Sequence, residues 1–241
     1  SAKGGVGKSL HAVNLAAFLA QANPDSKVVL ADMNLQLGID HLLLDIQPTH
    51  TITDFVPLIE ELIPETFAEL LARRELANGQ KMFVMPAPDQ PAEASYITGS
   101  QVGGILAALR RYYDCVVIDT TSTISDVTAA ALRIADDILL VCTPEVLSIS
   151  LTRRAIQYLT EDPDLGINPD SISLVLNRVS DKWEIRPQDI EGLFERPIVG
   201  QIPDDPLFVQ SCLNRGVLFI EGADGRGSHP FVSSLRQMAA A

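Results

Sequence analysis

The first ten residues contain a glycine-rich segment, Lys3-Gly4-Gly5-Val6-Gly7-Lys8-Ser9, whose chemistry suits phosphate groups. Glycine has no Cβ, so the backbone N–H groups of such a segment can turn toward an anion and approach it closely. Lys8 would supply a positive charge to the β- and γ-phosphates of a nucleotide, and the Ser9 hydroxyl is a suitable Mg²⁺ ligand. A helix that begins near Lys8 would add the positive end of its dipole. The predicted nucleotide-binding residues of this segment are Gly4, Gly5, Val6, Gly7, Lys8, Ser9 and Leu10.

Two aspartates stand at the ends of apolar runs. Asp119 ends the run Cys115-Val116-Val117-Ile118-Asp119, and Asp32 ends the run Val28-Val29-Leu30-Ala31-Asp32. A carboxylate at the C-terminal tip of a buried strand, facing the crevice that holds a phosphate loop, can anchor Mg²⁺. Together with Ser9, the two aspartates are the predicted metal ligands.

Short apolar runs alternate with helix-like segments along the whole chain. Runs without polar alternation are typical of strands that are covered on both faces. The predicted strands are 27–32, 82–86, 115–119, 138–142, 172–177 and 198–202. The predicted helices are 10–21, 102–113, 125–135, 147–161 and 187–194. This alternation predicts an α/β fold with a doubly wound, mostly parallel sheet flanked by helices.

Residues 49–77 interrupt the alternation with a long, acidic, mainly helical stretch in which Pro57 and Pro64 are expected to break the helices. We interpret this stretch as an insertion over one end of the sheet. Residues 221–228 are glycine-rich and predict a loop before a last short helix. No internal repeat is visible, and residues 1–241 are predicted to form a single domain.

Composition limits the classes of partner and compartment. The formal net charge is −13, with 31 acidic against 18 basic residues, which disfavours nucleic acid because neutralising its phosphates requires clustered Lys and Arg. The three cysteines have no close spacing, and they are interpreted as small buried side chains in a reducing compartment. The sequence has neither an apolar run long enough to span a membrane nor a visible secretory signal. We therefore expect a cytoplasmic protein with no integral membrane segment.

Lys3, which precedes the glycines, makes the segment resemble the deviant Walker A motif of the MinD/ParA superfamily of P-loop NTPases. The resemblance implies that Lys3 reaches across a homodimer to the nucleotide of the other subunit, so that ATP with Mg²⁺ lies between two chains. Asp119 matches the Walker B position of that superfamily. The predicted catalytic residues are Lys3, Lys8, Asp32, Asn34 and Asp119.

Asn34 departs from the superfamily pattern. The segment that starts at Asp32 resembles the first switch region, where relatives carry a second carboxylate that orients the attacking water. An amide can hold a water by hydrogen bonds, but it cannot accept its proton. The sequence therefore predicts ATP binding with slow or negligible hydrolysis, whether Asn34 is the natural residue or an engineered one.

Two further segments match positions that flank the adenine in the superfamily. Asn177 and Arg178 close one predicted strand, and Pro203 and Asp204 follow the next. An Asn side chain offers both a donor and an acceptor to the edge of the base. The alternative interpretation is that both segments are ordinary turns.

Several stretches are similar to the CpaE/TadZ branch of the superfamily, whose members help to place and assemble Flp or Tad pili. The stretches are 35–38, 48–54, 85–88, 126–128 and 214–217. This resemblance implies pilus or secretion machinery as a partner, recruitment to a cell pole or the inner face of the membrane, and a receiver-like domain upstream. A phosphate loop normally follows a buried strand, whereas this sequence enters the loop directly after Ser1 and Ala2. We therefore expect a first strand upstream of Ser1.

Other functions stay open at this point. A ParA-type partitioning protein would carry a basic surface for DNA. A MinD-type division-site protein would end in a basic amphipathic helix, whereas residues 231–241 carry only Arg236 as a charge. A metabolic relative with a bridging cluster would need closely paired cysteines. A nucleotide-binding pseudo-ATPase that acts as a scaffold fits Asn34.

Overall fold

Seven strands in two groups carry the fold. The computed structural model describes residues 1–222 and 229–240. The strands are β1 (Val28–Asp32), β2 (Ala72–Glu75), β3 (Lys81–Met85), β4 (Cys115–Asp119), β5 (Ile138–Cys142), β6 (Ile172–Val179) and β7 (Ile198–Pro203). The first group has the order β2-β3-β1-β4 and the second has the order β5-β6-β7. Every pair is parallel except β2 with β3.

Helices cover both groups. The longer ones are α1 (Lys8–Ala22), α6 (Gly99–Tyr112), α7 (Asp126–Ile134), α8 (Val146–Glu161), α9 (Pro187–Phe194), α10 (Pro206–Arg215) and α12 (Pro230–Ala239). The short ones are α2 (Asp40–Leu43), α3 (Ile52–Phe55), α4 (Pro64–Leu70), α5 (Pro91–Ala94) and α11 (Phe219–Gly222), with 3₁₀ turns at Val56–Glu61 and Pro169–Ser171. The predicted fold, a mostly parallel sheet flanked by helices, is confirmed.

The strand β1 shows why the apolar runs lack alternation. Side chains point to opposite faces of a sheet in turn. Val28 and Leu30 join a core with α1 and α12, whereas Val29 and Ala31 join a second core with α6 and residues 52–71. All five residues of β1 are buried, because each face has its own helical layer.

A cleft of about 610 Å³ lies between β4 and β5, which are neighbours in space but belong to different groups of strands. Side chains and backbone of both strands line this cleft, and Ser1 and α1 close one side of it. Ser1 therefore lies in the same cleft as Asp119, at the carboxyl end of β4. The edges of β4 and β5 that face it are not paired with any strand in residues 1–222 and 229–240.

Some elements differ from the prediction. The expected insertion at 49–77 contains α3, a 3₁₀ turn and α4, but it ends in the antiparallel strand β2, whose charged residues Arg73, Arg74 and Glu75 suit an exposed edge. The helical stretch is divided at Pro57 and Pro64, as predicted, and each proline lies in the first turn of the helix that follows, where proline is well tolerated.

The C-terminal part of the chain was predicted less completely. Helices α10 and α11 were not foreseen, whereas the last short helix is confirmed as α12. Of the glycine-rich stretch 221–228, residues 221 and 222 end α11 and the others lie outside the described residues. Within the part of the chain that the structure describes, no helix has the length and apolarity that crossing a membrane requires.

Candidate nucleotide-binding site

The glycine-rich segment forms a tight loop that leads directly into α1. Gly5 and Gly7 have positive φ angles of 72° and 93°, a conformation that only glycine adopts without strain. Gly7 is the N-cap of α1, and in the described chain no side chain caps this helix end. Its first N–H groups are therefore available to an anion, and Lys8 and Ser9 occupy the first helical turn.

Two residues near the end of β6 fix the loop by hydrogen bonds to its backbone. The amide Nδ2 of Asn177 donates to the carbonyl of Val6 at 2.8 Å, and Nη2 of Arg178 donates to the carbonyl of Gly5 at 3.0 Å. A Cβ on Gly7 would lie 2.7 Å from Nδ2 of Asn177. The third glycine of the loop is thus required by packing as well as by backbone conformation.

The predicted adenine-flanking segments lie side by side. Val179 pairs with Pro203, and the N–H of Asp204 donates to the carbonyl of Val179 at 2.9 Å. Both polar atoms of the Asn177 side chain are bonded to the protein, because its Oδ1 accepts from the N–H of Arg178 at 2.9 Å. The contacts of Asn177, Arg178, Pro203 and Asp204 with a base stay a prediction.

Lys3 forms an ion pair inside its own chain. Its Nζ donates to Oε2 of Glu145, the residue just before α8. The hydrogen bond from Lys3 lowers the pKa of Glu145. Both side chains are partly exposed, so the pair lies at the rim of the site and not in its interior. The expected reach of Lys3 across a homodimer stays a prediction.

The predicted metal ligands converge on the opposite side of the loop. Asp32 and Asp119 are in register on β1 and β4 and are both buried. The hydroxyl of Ser9 donates to Oδ2 of Asp119 at 2.5 Å. Burial, opposed by the hydrogen bond from Ser9 and the charge of Lys8, raises the pKa of Asp119. Carboxylate and hydroxyl oxygens are ligands that suit Mg²⁺, so these three residues fit the predicted cation.

Asp40, at the start of α2, was missed by the sequence analysis. Its carboxylate lies within 4.8 Å of those of Asp32 and Asp119, and the residue is fully buried. Burial, followed by the charges of Asp32 and Asp119, raises the pKa of Asp40 well above its usual value. Burial likewise raises the pKa of Asp32 to about 7. The only sequence signal for Asp40 was an acidic residue soon after Asp32, which no motif marks.

Asn34 shapes the backbone beside these carboxylates. Its N–H donates to Oδ1 of Asp32 at 3.0 Å, and its side-chain Nδ2 donates to the carbonyl of Leu37 at 2.9 Å. The amide therefore closes a turn after β1. An aspartate at this position has no donor for the Leu37 carbonyl, but the backbone hydrogen bond from the N–H of Leu37 to the carbonyl of residue 34, at 3.2 Å, does not involve the side chain.

His11 is a second residue that the sequence analysis did not single out. It is buried beneath the loop, near the position that a Cβ on Gly7 would take. Neither ring nitrogen has a hydrogen-bond partner among the described residues. Burial lowers the pKa of His11 to about 4, opposed by the neighbouring Asn177 side chain and reinforced by the charge of Arg178, so the ring is neutral at physiological pH.

Comparisons with known proteins agree with this architecture. A family model described as an AAA domain matches residues 1–161. The septum site-determining protein MinD of Synechocystis is 29% identical over 221 residues, which cover 90% of this chain and 78% of that protein.

Two solved structures are also similar. The ParA family ATPase from Chlorobium tepidum has a TM-score of 0.84 at 25% identity, over 100% of this chain and 95% of that one. MinD from Pyrococcus horikoshii, solved in complex with Mg-ADP, has a TM-score of 0.79 at 20% identity, over 98% of this chain and 90% of that one. The chain therefore belongs to the family described as an AAA domain, and its similarity to MinD and ParA proteins supports the MinD/ParA superfamily.

Proposed function

We propose that this protein is a nucleotide-gated switch that binds ATP with Mg²⁺ and closes into a homodimer across the nucleotide. The observation that carries the proposal is the meeting of two features at one place. A glycine loop opens onto the uncapped start of α1, and buried carboxylates face it from the ends of β1 and β4. The first feature suits phosphates and the second suits a cation.

The loop residues Gly4 to Leu10 would hold the phosphates, with Lys8 neutralising charge on the β- and γ-phosphates. Ser9, Asp119 and Asp32 would hold Mg²⁺ directly or through water. When bound, Mg²⁺ supplies charge neutralisation at the phosphate oxygens and fixes their orientation. Asn177 and Arg178 support this arrangement by fixing the carbonyls of Val6 and Gly5, which keeps the N–H groups of the loop directed away from β6.

The distribution of exposed apolar side chains supports a dimer face at the carboxyl end of the strands. Large hydrophobic side chains are exposed in the segments that follow six of the seven strands. They are Leu37 after β1, Tyr96 after β3, Ile124 after β4, Val146 and Leu147 after β5, Trp183 after β6 and Leu207 after β7. Exposed apolar side chains that share one end of a domain are typical of an interaction surface, and Ser9, at the end of the nucleotide loop, contacts Asp119 at the same end of β4.

In the single chain without nucleotide, Lys3 forms an ion pair with Glu145. Lys3 can reach the phosphates of a partner subunit only after it leaves Glu145. The negative charge of a bound triphosphate exceeds that of one carboxylate, so ATP in the partner favours the exchange. Closure of the dimer would then reposition the start of α8, where Val146 and Leu147 are exposed.

Hydrolysis is proposed to be slow, because Asn34 lacks the basic carboxylate and its amide is engaged by Leu37. The substitution Asn34→Asp is expected to raise ATP turnover by about tenfold or more, since general-base catalysis typically contributes at least this much. Phosphate release measured for both proteins under saturating ATP tests this. Fast release by the protein with Asn34, or no gain in Asn34→Asp, would argue for a different route to turnover.

The cellular role that the relatives support best is spatial positioning of the MinD or ParA type. The Synechocystis relative determines the septum site by its name, and similarity to it spans most of this chain. The acidic composition favours a protein partner over DNA. DNA binding that is saturable and weakens with salt would favour the ParA-type role instead.

A role in pilus assembly is the second candidate, and the CpaE/TadZ-like stretch 35–38 supports it. Gly38 in that stretch passes so close to Asp32 that a Cβ would lie 2.4 Å from its Oδ2. Residues 35–38 therefore lie against the carboxylates of the site, so the resemblance to the CpaE/TadZ branch falls in the region of the switch. A fluorescent fusion distinguishes the two roles, since a pilus role predicts polar foci that require pilus proteins, and a division role predicts a pattern that follows the septum.

The most direct test of the site is a titration with a fluorescent adenine nucleotide and Mg²⁺. We expect saturable binding by the wild type with Mg²⁺. We expect this binding to be lost in Lys8→Ala without Mg²⁺. No saturable binding, in a folded protein, would overturn the proposed function.

A further inference from the structure

Three carboxylates meet at the ends of β1 and β4, and one of them has no role in the proposed nucleotide site. Asp32 and Asp119 end the paired strands, whereas Asp40 enters from the segment that follows β1. Oxygen atoms of all three lie within 4.8 Å of one another. The backbone N–H of Asp40 donates to Oδ2 of Asp32 at 3.3 Å, which fixes the third carboxylate beside the first.

The local backbone is built to bring Asp40 into this position. A Cβ on Gly38 would lie 2.3 Å from Cβ of Ala87 and 2.4 Å from Oδ2 of Asp32. Only glycine lets the segment pass between them. The chain then turns into α2, and its first residue, Asp40, points inward and is fully buried, while Leu37 and Leu42 on the same segment are exposed.

The carboxylate of Asp40 has no compensating partner. Neither Oδ1 nor Oδ2 accepts a hydrogen bond from any residue in the described chain. The positive charge near the cluster, that of Lys8, acts on Asp119, whereas the charged groups that act on Asp40 are the two other carboxylates. A buried, unpartnered carboxyl beside two like charges is costly unless a cation or protons compensate it.

We propose that Asp32, Asp40 and Asp119 form a binding site for a hard divalent cation that is filled in the absence of nucleotide. Three carboxylate oxygens are a donor set that Mg²⁺ and Mn²⁺ prefer, and water would complete the coordination. Oxygen atoms that all lie within 4.8 Å of one another are close enough to share one hydrated cation, since oxygen ligands lie about 2.0–2.6 Å from Mg²⁺ or Ca²⁺.

Such a site would couple the cation to the shape of the segment after β1. Asp40 is the only ligand on that segment, since Asp32 and Asp119 belong to the strands. A bound cation would therefore hold residues 34–40 against the end of β4, and its loss would release them. The inference does not depend on ATP binding, because neither the glycine loop nor Lys3 takes part in it.

The test uses nucleotide-free protein and Mn²⁺, whose free ion gives an electron paramagnetic resonance signal that is lost on binding. The wild-type chain is expected to bind one Mn²⁺ saturably, with Mg²⁺ as a competitor. Asp40→Asn keeps the shape of the side chain and is expected to weaken Mn²⁺ binding by tenfold or more. Glu69→Gln removes the same charge from an exposed position on α4 and is expected to bind Mn²⁺ as the wild type does.

Thermal melting gives a second readout. Mg²⁺ without nucleotide is expected to raise the melting temperature of the wild type and of Glu69→Gln but not of Asp40→Asn. Asp40→Asn without metal is expected to melt above the metal-free wild type, because one of three like charges is gone.

The outcomes separate this inference from the proposed function. No saturable Mn²⁺ site in the wild type, or equal affinity in Asp40→Asn, would overturn the inference and identify the cluster as a set of protonated carboxyls. A fluorescent ATP titration of the same samples reports on the nucleotide site independently. If the protein binds ATP but does not bind Mn²⁺ without nucleotide, the proposed function stands and this inference fails. If it binds Mn²⁺ without nucleotide but does not bind ATP, this inference stands and the proposed function fails.

Discussion

The two sides of the site are built in opposite ways. On one side, the glycine loop offers backbone N–H groups, Lys3 and Lys8 are positive, and the end of β6 fixes the loop through Asn177 and Arg178. On the other side, three buried carboxylates face one another at the ends of β1 and β4. The first side is made for an anion and the second for a cation, so a metal–nucleotide complex satisfies both.

The two sides also respond to pH with opposite signs. The pKa of His11, beneath the loop, is lowered to about 4 from 6.5, so its contribution to stability is full above pH 6.5 and is lost as the pH falls through 4. The pKa of Asp32 is raised to about 7 from 3.8, so its contribution is full below pH 3.8 and is lost as the pH rises through 7. In the ligand-free protein, therefore, no single pH gives the full contribution of both His11 and Asp32 to the free energy of unfolding.

The largest expected effect comes from removing the positive charge of Lys8 from the anion-binding side. Lys8→Ala should weaken ATP binding by about a hundredfold or more, because loss of one partner from a close charge pair costs about 2–5 kcal/mol. Lys81→Ala, at an exposed position on β3, should bind ATP as the wild type does. A fluorescent nucleotide titration measures both, and equal affinities for the two variants would break the assignment of the loop.

A second prediction concerns the neutral histidine under the loop. Between pH 6.5 and 4, the free energy of unfolding of the wild type should fall relative to His11→Gln by roughly 3 kcal/mol, because folding lowers the pKa of His11 from 6.5 to about 4. Urea unfolding at several pH values measures this. His50→Gln removes a partly exposed histidine and should follow the wild type, whereas a parallel curve for His11→Gln would contradict the burial of a neutral ring.

The smallest effect is expected at the rim. Glu145→Gln removes the carboxylate that holds Lys3, and a partly exposed ion pair is worth about 0.2–1 kcal/mol. ATP-dependent dimerisation should therefore become stronger by up to about fivefold, as measured by sedimentation. Glu69→Gln is again the matched control. Weaker dimerisation of Glu145→Gln would mean that Glu145 supports the closed state and not the resting one.

The contrast between the two sides also decides what the sequence can predict. The glycine loop is local, since its spacing and residue types specify a backbone conformation and a helix start, and the fold follows from apolar runs such as Val28–Asp32. Asp40 could not be recognised, because its position depends on Gly38 passing over Asp32 and not on any periodic pattern. The strand β2 was missed for a related reason: Arg73, Arg74 and Glu75 form no apolar run, and their place in the sheet comes from pairing with β3.

The central claim is that ATP brings two chains together through Lys3. Light scattering with ATP and Mg²⁺ tests it most directly, with ADP as the nucleotide control and Lys81→Ala as the control variant. We expect the mass of the wild type to double with ATP and that of Lys3→Ala to stay monomeric while it still binds nucleotide. Identical masses for the wild type and Lys3→Ala in the presence of ATP would contradict the account.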